Sequence, residues 1–279
     1  MRRILFFDID NTLLDHRTKT IPRSALQAIE GLRKAGHCVV VATGRSYEHA
    51  KPFVDQIQPS YVITLNGARI LRNGHEVLTV PLPRAALVDL FDWLQGQDHT
   101  FGVNNGRTCY LSSYDSRALE PLHEVGIAIQ TDDPFYLRQD VYQGWLFFDE
   151  ALDAKLFPAI LDRYPEFDLV RWHKSAVDVL PKATNKWTGC RWVMAQTGFT
   201  PEQAIAFGDG LNDVEMLQGV GLGIAMDNGH PELKAIANRI APALHLHGIA
   251  AVLKELFQVE TATNGSRSGD SIDGRTRSN

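Results

Sequence analysis

The sequence predicts an α/β fold: a doubly wound parallel sheet with an α+β domain inserted into it. Three observations lead there. Over the first 65 residues, short apolar runs alternate with helical patterns, as in parallel strands joined by crossover helices. From about residue 82, helices mix instead with antiparallel strand pairs. At about residue 183 the first pattern returns.

The elements follow in order. "RILFFD" (3–8) reads as a short buried strand, apolar and without period. "IPRSALQAIEGLRKAGH" reads as a helix: Pro22 suits its first turn, Leu26, Ile29 and Leu32 mark an apolar face with Ala25 and Ala28, and Gly36 can close it. "CVVVAT" is a second buried strand. "YEHAKPFVDQI" is helical in pattern but is expected to break at Pro52. "YVITLNGA" is a third strand, and Asn73-Gly74 within "ARILRNGHEVLTV" predicts a hairpin.

In the inserted part, "RAALVDLFDWLQ" and "LDAKLFPAILDRY" read as helices and "GWLFFDE" as a strand. "FGVNN" and "TCYLS" flank a turn, and "DLVRWHK" pairs with "AVDVLPK". After residue 183 come a helix ("KWTGCRWVMAQTG"), strands ("AIAFGD", "VGLGIAM") and two helices ("PELKAIAN", "IAAVLKELF"). The expected division is 1–81 and 183–259 for the sheet domain and 82–182 for the insert. Residues 260–279 lack large apolar residues except Ile272 and are expected to be disordered.

Composition narrows the functions. The chain has 279 residues, 44% hydrophobic, with a net charge of −5, so no basic excess points to nucleic acid or a membrane surface. Cys38, Cys109 and Cys190 are odd in number and far apart, against a disulfide framework or a structural zinc site. "MRRILFF" begins like a signal peptide, but Asp8 and Asp10 cut the apolar run short, and a reducing cytoplasm fits. No apolar stretch approaches the roughly 18 residues of a membrane span.

The chemistry lies at strand ends. In a doubly wound sheet, ligands bind outside the C-terminal ends of the strands. Asp8 ends the first strand, and Asp10 follows in the loop. "AIAFGD" also ends in an acid, Asp209, followed by Asn212 and Asp213. If both strands are central, these carboxylates converge, and their mutual repulsion calls for a divalent cation. All-oxygen ligands favour magnesium, Mg2+, which also binds phosphate oxygens.

Gly208 and Gly210 would let backbone approach the site. "VVVATGRS" adds the Thr43 hydroxyl, then Gly44 and the expected start of a helix, a place that favours an anion; Thr43 alone could equally cap that helix. Lys186, at the start of the helix that re-enters the sheet domain, can bring positive charge to a phosphate. The simplest chemistry is phosphoryl transfer: one aspartate attacks phosphorus, and the other protonates the leaving oxygen and then activates water. "DIDNTLLDHRTK" is no calcium loop, with Leu13 at its sixth position and Lys19 at its twelfth; the chain has no nucleotide-binding glycine loop, and "HLH" at 245–247 reads as surface.

"DIDNT", "ATGR", Lys186 and "GDGLNDVEM" together resemble the four ordered motifs of the haloacid dehalogenase (HAD) superfamily of phosphatases. "LNGA" at 65–68 and "GIAMDNGHPELKAIAN" at 223–238 resemble its Cof-type branch, class IIB, whose α/β cap is inserted after the third strand of a Rossmann-like core. The resemblance covers about residues 1–80 and 183–257.

The resemblance implies roles. Asp8 would be the nucleophile and a magnesium ligand. Asp10 would be the acid/base, with its backbone carbonyl on magnesium. The Ile9 N–H, Thr43, Gly44, Lys186 and Asn212 would hold phosphate. Asp209 would complete the metal site, with Asp213 in support. Two positions depart from the pattern: Asn11 stands where many relatives have Gly, and Asp227 where many have Gly before Asn228, which places a further negative charge near the site.

The expected function is therefore a magnesium-dependent phosphatase of a small phosphorylated metabolite, a sugar or cofactor phosphate, acting as a monomer or homodimer. A sugar phosphomutase and a catalytically idle phosphometabolite-binding regulator are the alternatives. Trp145, Arg171, Trp172 and His173 are cap residues that could meet the substrate, although core or surface roles fit them as well.

Overall fold

The computed structural model describes residues 1–257, so the expectation for the tail from 260 lies outside the described residues. An eight-stranded sheet forms the larger layer. Its strands are β1 (Ile4–Phe7), β2 (Cys38–Ala42), β3 (Tyr61–Thr64), β4 (Arg69–Arg72), β5 (His75–Thr79), β11 (Ala204–Gly208), β12 (Leu222–Met226) and β13 (Arg239–Ala241). The order is β13-β12-β11-β1-β2-β3-β4-β5, parallel from β13 to β3, with an antiparallel hairpin at the far edge.

β1 is central because every residue in it is apolar and buried on both faces. Leu5 and Phe7 pack toward α1 (Arg23–Lys34), α2 (Tyr47–Ile57) and α9 (Gly248–Phe257). Ile4 and Phe6 pack on the opposite side toward α6 (Lys186–Thr197) and α7 (Val214–Gly219). Ile4–Phe7 pairs in register with Ala204–Phe207 on one side and Cys38–Val41 on the other. Chain connections leave β1 in one direction and approach β11 from the other. This is the switch point where a crevice opens in such sheets.

The residues between β5 and α6 build a second, antiparallel sheet of five strands: β6 (Thr100–Asn104), β7 (Cys109–Leu111), β8 (Gln143–Phe147), β9 (Phe167–His173) and β10 (Ala176–Pro181), in the order β7-β6-β8-β10-β9. One face is covered by α3 (Arg84–Gln95) and α5 (Asp153–Arg163), the other by α4 (Ser116–Glu124). Both expected hairpins are present. So is the turn at Asn73-Gly74, where both residues have positive φ (52° and 77°), as a two-residue hairpin requires.

Three readings need correction. α2 does not break at Pro52. The hydrogen bond that Pro52 cannot donate would have gone to the carbonyl of Glu48, which lies in the exposed first turn, where water can serve it. That helix begins at Tyr47, as its pattern predicts, with Ser46 as its cap, so Gly44 lies in the turn before the helix rather than at its start. Finally, α4 and β13 carry too few periodic apolar residues to show in the sequence. The signal for α4 was its cap, Asp115, whose side chain accepts from the Ala118 N–H. α8 (Pro231–Ile236) is present, and no helix among the described residues is long and apolar enough to cross a membrane.

Candidate active site

The ends of β1 and β11 lie side by side, with the Asp8 N–H donating to the Phe207 carbonyl at 3.0 Å. Asp8 therefore emerges from the sheet next to the loop that carries Asp209 and Asp213. Carboxylate oxygens of Asp8, Asp209 and Asp213 all lie within 4.8 Å of one another. Lys186, the first residue of α6, is 1% exposed, and its Nζ donates to Asp8 Oδ1 at 2.6 Å and to Asp213 Oδ1 at 2.7 Å. The Asn185 side chain caps that helix and fixes where the lysine enters.

Asp213 is fully buried and its oxygens are engaged. Oδ1 meets Lys186, and Oδ2 accepts the N–H groups of Asp209 and Gly210 at 3.0 and 3.1 Å. A Cβ at Gly208 would stand 2.5 Å from the Asp213 carboxyl carbon, so glycine there makes room for this side chain. Asp209 Oδ1 accepts from the buried Thr12 hydroxyl at 2.9 Å.

Electrostatics follow from this crowding. Burial raises the Asp8 pKa well above the ordinary carboxyl range; Lys186 opposes that, while Asp213, Asp209 and Asp10 add to it. Asp209 is pushed up to about 7, first by burial and then by Asp213, with Thr12 and Lys186 opposing. The Lys186 pKa is raised despite burial, because Asp213 and Asp8 outweigh the desolvation. Three converging carboxylates with one ammonium between them leave excess negative charge, and every donor is a hard oxygen. The residues fit a divalent cation of the magnesium type.

Asp10 points elsewhere. Arg45 grips it with two donors, Nε to Oδ2 at 2.8 Å and Nη2 to Oδ1 at 2.6 Å, and His16 Nε2 lies 2.8 Å from Oδ1. Burial pushes the Asp10 pKa up, but the hydrogen bonds from Arg45 and His16 outweigh it, and the carboxyl is held well below its ordinary range.

The site opens on a cavity of about 760 Å³ between the two sheets. Asp8, Asp10, Gly44, Asp209 and Asn212 form part of its wall. Ile9, Thr43, Lys186 and Asp213 are buried. The Thr43 hydroxyl accepts from the Arg45 N–H at 3.1 Å, which fixes the turn after β2 rather than capping α2. Asn212 Nδ2 donates to Asn66 Oδ1 at 3.0 Å.

The two departures prove mild. Asn11 adopts φ 54°, a left-handed conformation that Gly or Asn tolerates best. Asp227 is exposed, and its carboxyl lies 3.7 Å from the Lys234 ammonium. Asn228 ties two loops together, donating to the Asn11 carbonyl and accepting from the Leu244 N–H, both at 2.8 Å. All four candidate cap residues, Trp145, Arg171, Trp172 and His173, line the cavity wall, and the Arg171 guanidinium is taken up by Asp153 and by carbonyls of Phe148 and His173. Thr12, His16, Arg45, Asn66 and Asp178 were not singled out from sequence, although Arg45 ends "ATGR" and Asn66 lies in "LNGA".

Comparison with known proteins agrees with this geometry. The family described as haloacid dehalogenase-like hydrolase matches residues 5–253. The chain is 35% identical over 256 residues to the Bacillus subtilis protein YkrA, covering 91% of this chain and 97% of that one. It is 27% identical over 271 residues to B. subtilis YitU, named a 5-amino-6-(5-phospho-D-ribitylamino)uracil phosphatase, covering 92% and 98%. Among solved structures, a hypothetical protein of Geobacillus kaustophilus superposes with a TM-score of 0.82 at 32% identity, over 93% of this chain and 100% of that one. The chain belongs to the haloacid dehalogenase-like hydrolases and, within them, to the Cof-type phosphatases.

Proposed function

We propose that this chain hydrolyses phosphate monoesters of small metabolites with the help of magnesium, through an aspartyl phosphate on Asp8. The observation that carries this reading is the charge at the cavity floor. Three carboxylates lie within 4.8 Å of one another around the single buried ammonium of Lys186. That floor attracts a cation, and cation and lysine together attract a phosphate.

Asp8, Asp209 and the Asp10 backbone carbonyl would hold the magnesium ion, with Asp213 behind them holding Lys186 and the loop. Bound there, magnesium would cancel the repulsion between Asp8 and the phosphate and draw charge from the transferring group. The Ile9 N–H, Thr43, Gly44, Lys186 and Asn212 would orient the phosphoryl oxygens. An Asp8 oxygen bonds to phosphorus as the bond to the leaving oxygen breaks, and Asp10 supplies that oxygen with a proton. Asp10, now a carboxylate, takes a proton from water, and the water oxygen attacks phosphorus. The acyl phosphate opens, Asp8 returns to a carboxylate and inorganic phosphate leaves.

The grip of Arg45 and His16 holds Asp10 in the base form that the second step uses. The first step requires that grip to loosen. The second sheet forms the far wall of the cavity, so residues 82–182 are proposed as the part that selects the substrate. A metabolite of the kind named for YitU, a sugar phosphate or a cofactor phosphate fits the class.

The test is turnover of p-nitrophenyl phosphate, with released phosphate measured. EDTA should abolish it and magnesium restore it. Full activity in EDTA would reject the metal site, and no turnover with magnesium present would reject the phosphatase reading. With a sugar phosphate as substrate, isomerised product in place of free phosphate would indicate a mutase.

A further inference from the structure

The far wall of the cavity carries an acid that the chemistry above does not use. Asp178, on β10, is only 5% exposed and lines the cavity together with Trp172, Trp145 and Gln143. Its Oδ2 accepts from Asn66 Nδ2 at 3.0 Å. The same Asn66 accepts from Asn212, so Asp178 sits two hydrogen bonds from a residue proposed to hold phosphate. Both ends of the Asn66 amide are committed, which fixes its orientation.

The polar ends of Gln143, Trp172 and Trp145 surround the Asp178 carboxyl, yet among the described residues only Asn66 donates to it in hydrogen-bond geometry. The Trp172 indole N–H is buried with no partner. A buried donor left unpaired is costly, and so is a buried carboxyl with acceptor capacity to spare. Burial pushes the Asp178 carboxyl up to about 7, so near neutrality it is partly uncharged and repels a neighbouring phosphate dianion less.

We propose that Asp178 and Trp172 form a subsite that binds an alcohol hydroxyl on the leaving group of the phosphate ester. The inference rests on the phosphatase reading and names the substrate class within it. A hydroxyl both donates and accepts, so one group serves both residues: it donates to the Asp178 carboxyl and accepts from the Trp172 N–H. An ammonium could only donate, leaving the indole N–H unpaired. A second phosphate dianion could only accept, which leaves the carboxylate form of Asp178 without a donor. The partly buried Trp172 ring offers an apolar surface for the carbon skeleton between hydroxyls. The chemistry that fits is a polyol or sugar phosphate monoester, with phosphate at Asp8 and a hydroxyl of the leaving group at Asp178.

The experiment compares carbon-matched esters with and without hydroxyls: glycerol phosphate against propyl phosphate, and ribitol phosphate against pentyl phosphate. The quantity read is the ratio of kcat/KM within each pair. Wild-type protein should favour the hydroxylated member of at least one pair by about tenfold or more, and Trp172→Phe and Asp178→Asn should each lower that ratio by about ten- to a hundredfold, the scale of a hydrogen bond to a buried polar group. Trp172→Phe removes the N–H and keeps an aromatic ring; Asp178→Asn keeps the shape and removes an acceptor. No preference in any pair, or an equal loss for both members in both variants, would overturn the subsite while leaving the phosphatase reading intact. Failure of wild-type protein to turn over p-nitrophenyl phosphate as well would overturn the phosphatase reading and the subsite with it.

Discussion

Replacing Lys186 with Met tests the charge balance at the cavity floor. The methionine keeps the length and apolar body of the side chain but removes the ammonium that touches Asp8 at 2.6 Å and Asp213 at 2.7 Å. Two carboxylates, 5% and 0% exposed, lose their common partner. Removing one partner of a buried ion pair costs about 3–5 kcal/mol, because the remaining charge cannot recover its hydration. For a chain of this size, about 1 kcal/mol corresponds to roughly 2–4 °C, so the melting temperature should fall by about 6–20 °C at about pH 8 in EDTA.

The pH dependence has a definite sign. Lys186 is the group that opposes the raised pKa of Asp8, so its loss lifts that pKa further. An acid whose folded pKa is raised binds its proton more tightly when folded. Its contribution is present at low pH and lost as pH rises through the folded pKa. The deficit of the variant should therefore shrink as pH falls from about 8 to about 5.5, and magnesium should also reduce it by supplying the missing charge. Thermal melts at both pH values, with and without magnesium, read this directly. A melting temperature within about 2 °C of wild type at about pH 8, or a deficit that grows on acidification, would refute the reasoning.

Two further perturbations follow. Gly208→Ala places a methyl group where the Asp213 carboxyl sits, 2.5 Å from its carbon, and should cost about 1–3 kcal/mol as well as turnover; unchanged melting and kcat would contradict the role given to that glycine. Arg45→Ala releases Asp10 from its strongest partner and should raise the Asp10 pKa, moving the limb of the rate–pH profile that Asp10 governs to higher pH; an unmoved profile would show that Arg45 does not set that ionisation.

The central strands were legible because strands buried on both faces must be continuous apolar runs, as in "ILFF" and "CVVVA". Asp8 and Asp209 were legible because lying just past the end of a central strand is a matter of chain order, and strand ends in such sheets meet along one edge. Contacts made from distant segments were not. Asn66 joins Asp178 across 112 residues and Asn212 across 146, and none of the three carries a local pattern that names its partner. Arg45 closes the motif "ATGR", yet its grip on Asp10 depends on a turn whose shape the Thr43 hydroxyl fixes. Helix α4 was hidden by Pro121 and by a short apolar face of Ala118 and Leu122, and β13 by its three-residue length.

The central claim is that Asp8 takes the phosphoryl group. Rapid-quench labelling with a turned-over phosphate ester, followed by peptide mapping, tests it most directly. Label should appear on the peptide that contains Asp8. It should be absent from Asp8→Asn, whose turnover should fall by at least about a thousandfold, the scale of removing a residue from a catalytic unit. Asp10→Asn should retain or accumulate the label, because hydrolysis of the aspartyl phosphate also needs its base. Label on any other residue, or normal labelling and turnover in Asp8→Asn, would contradict the assignment.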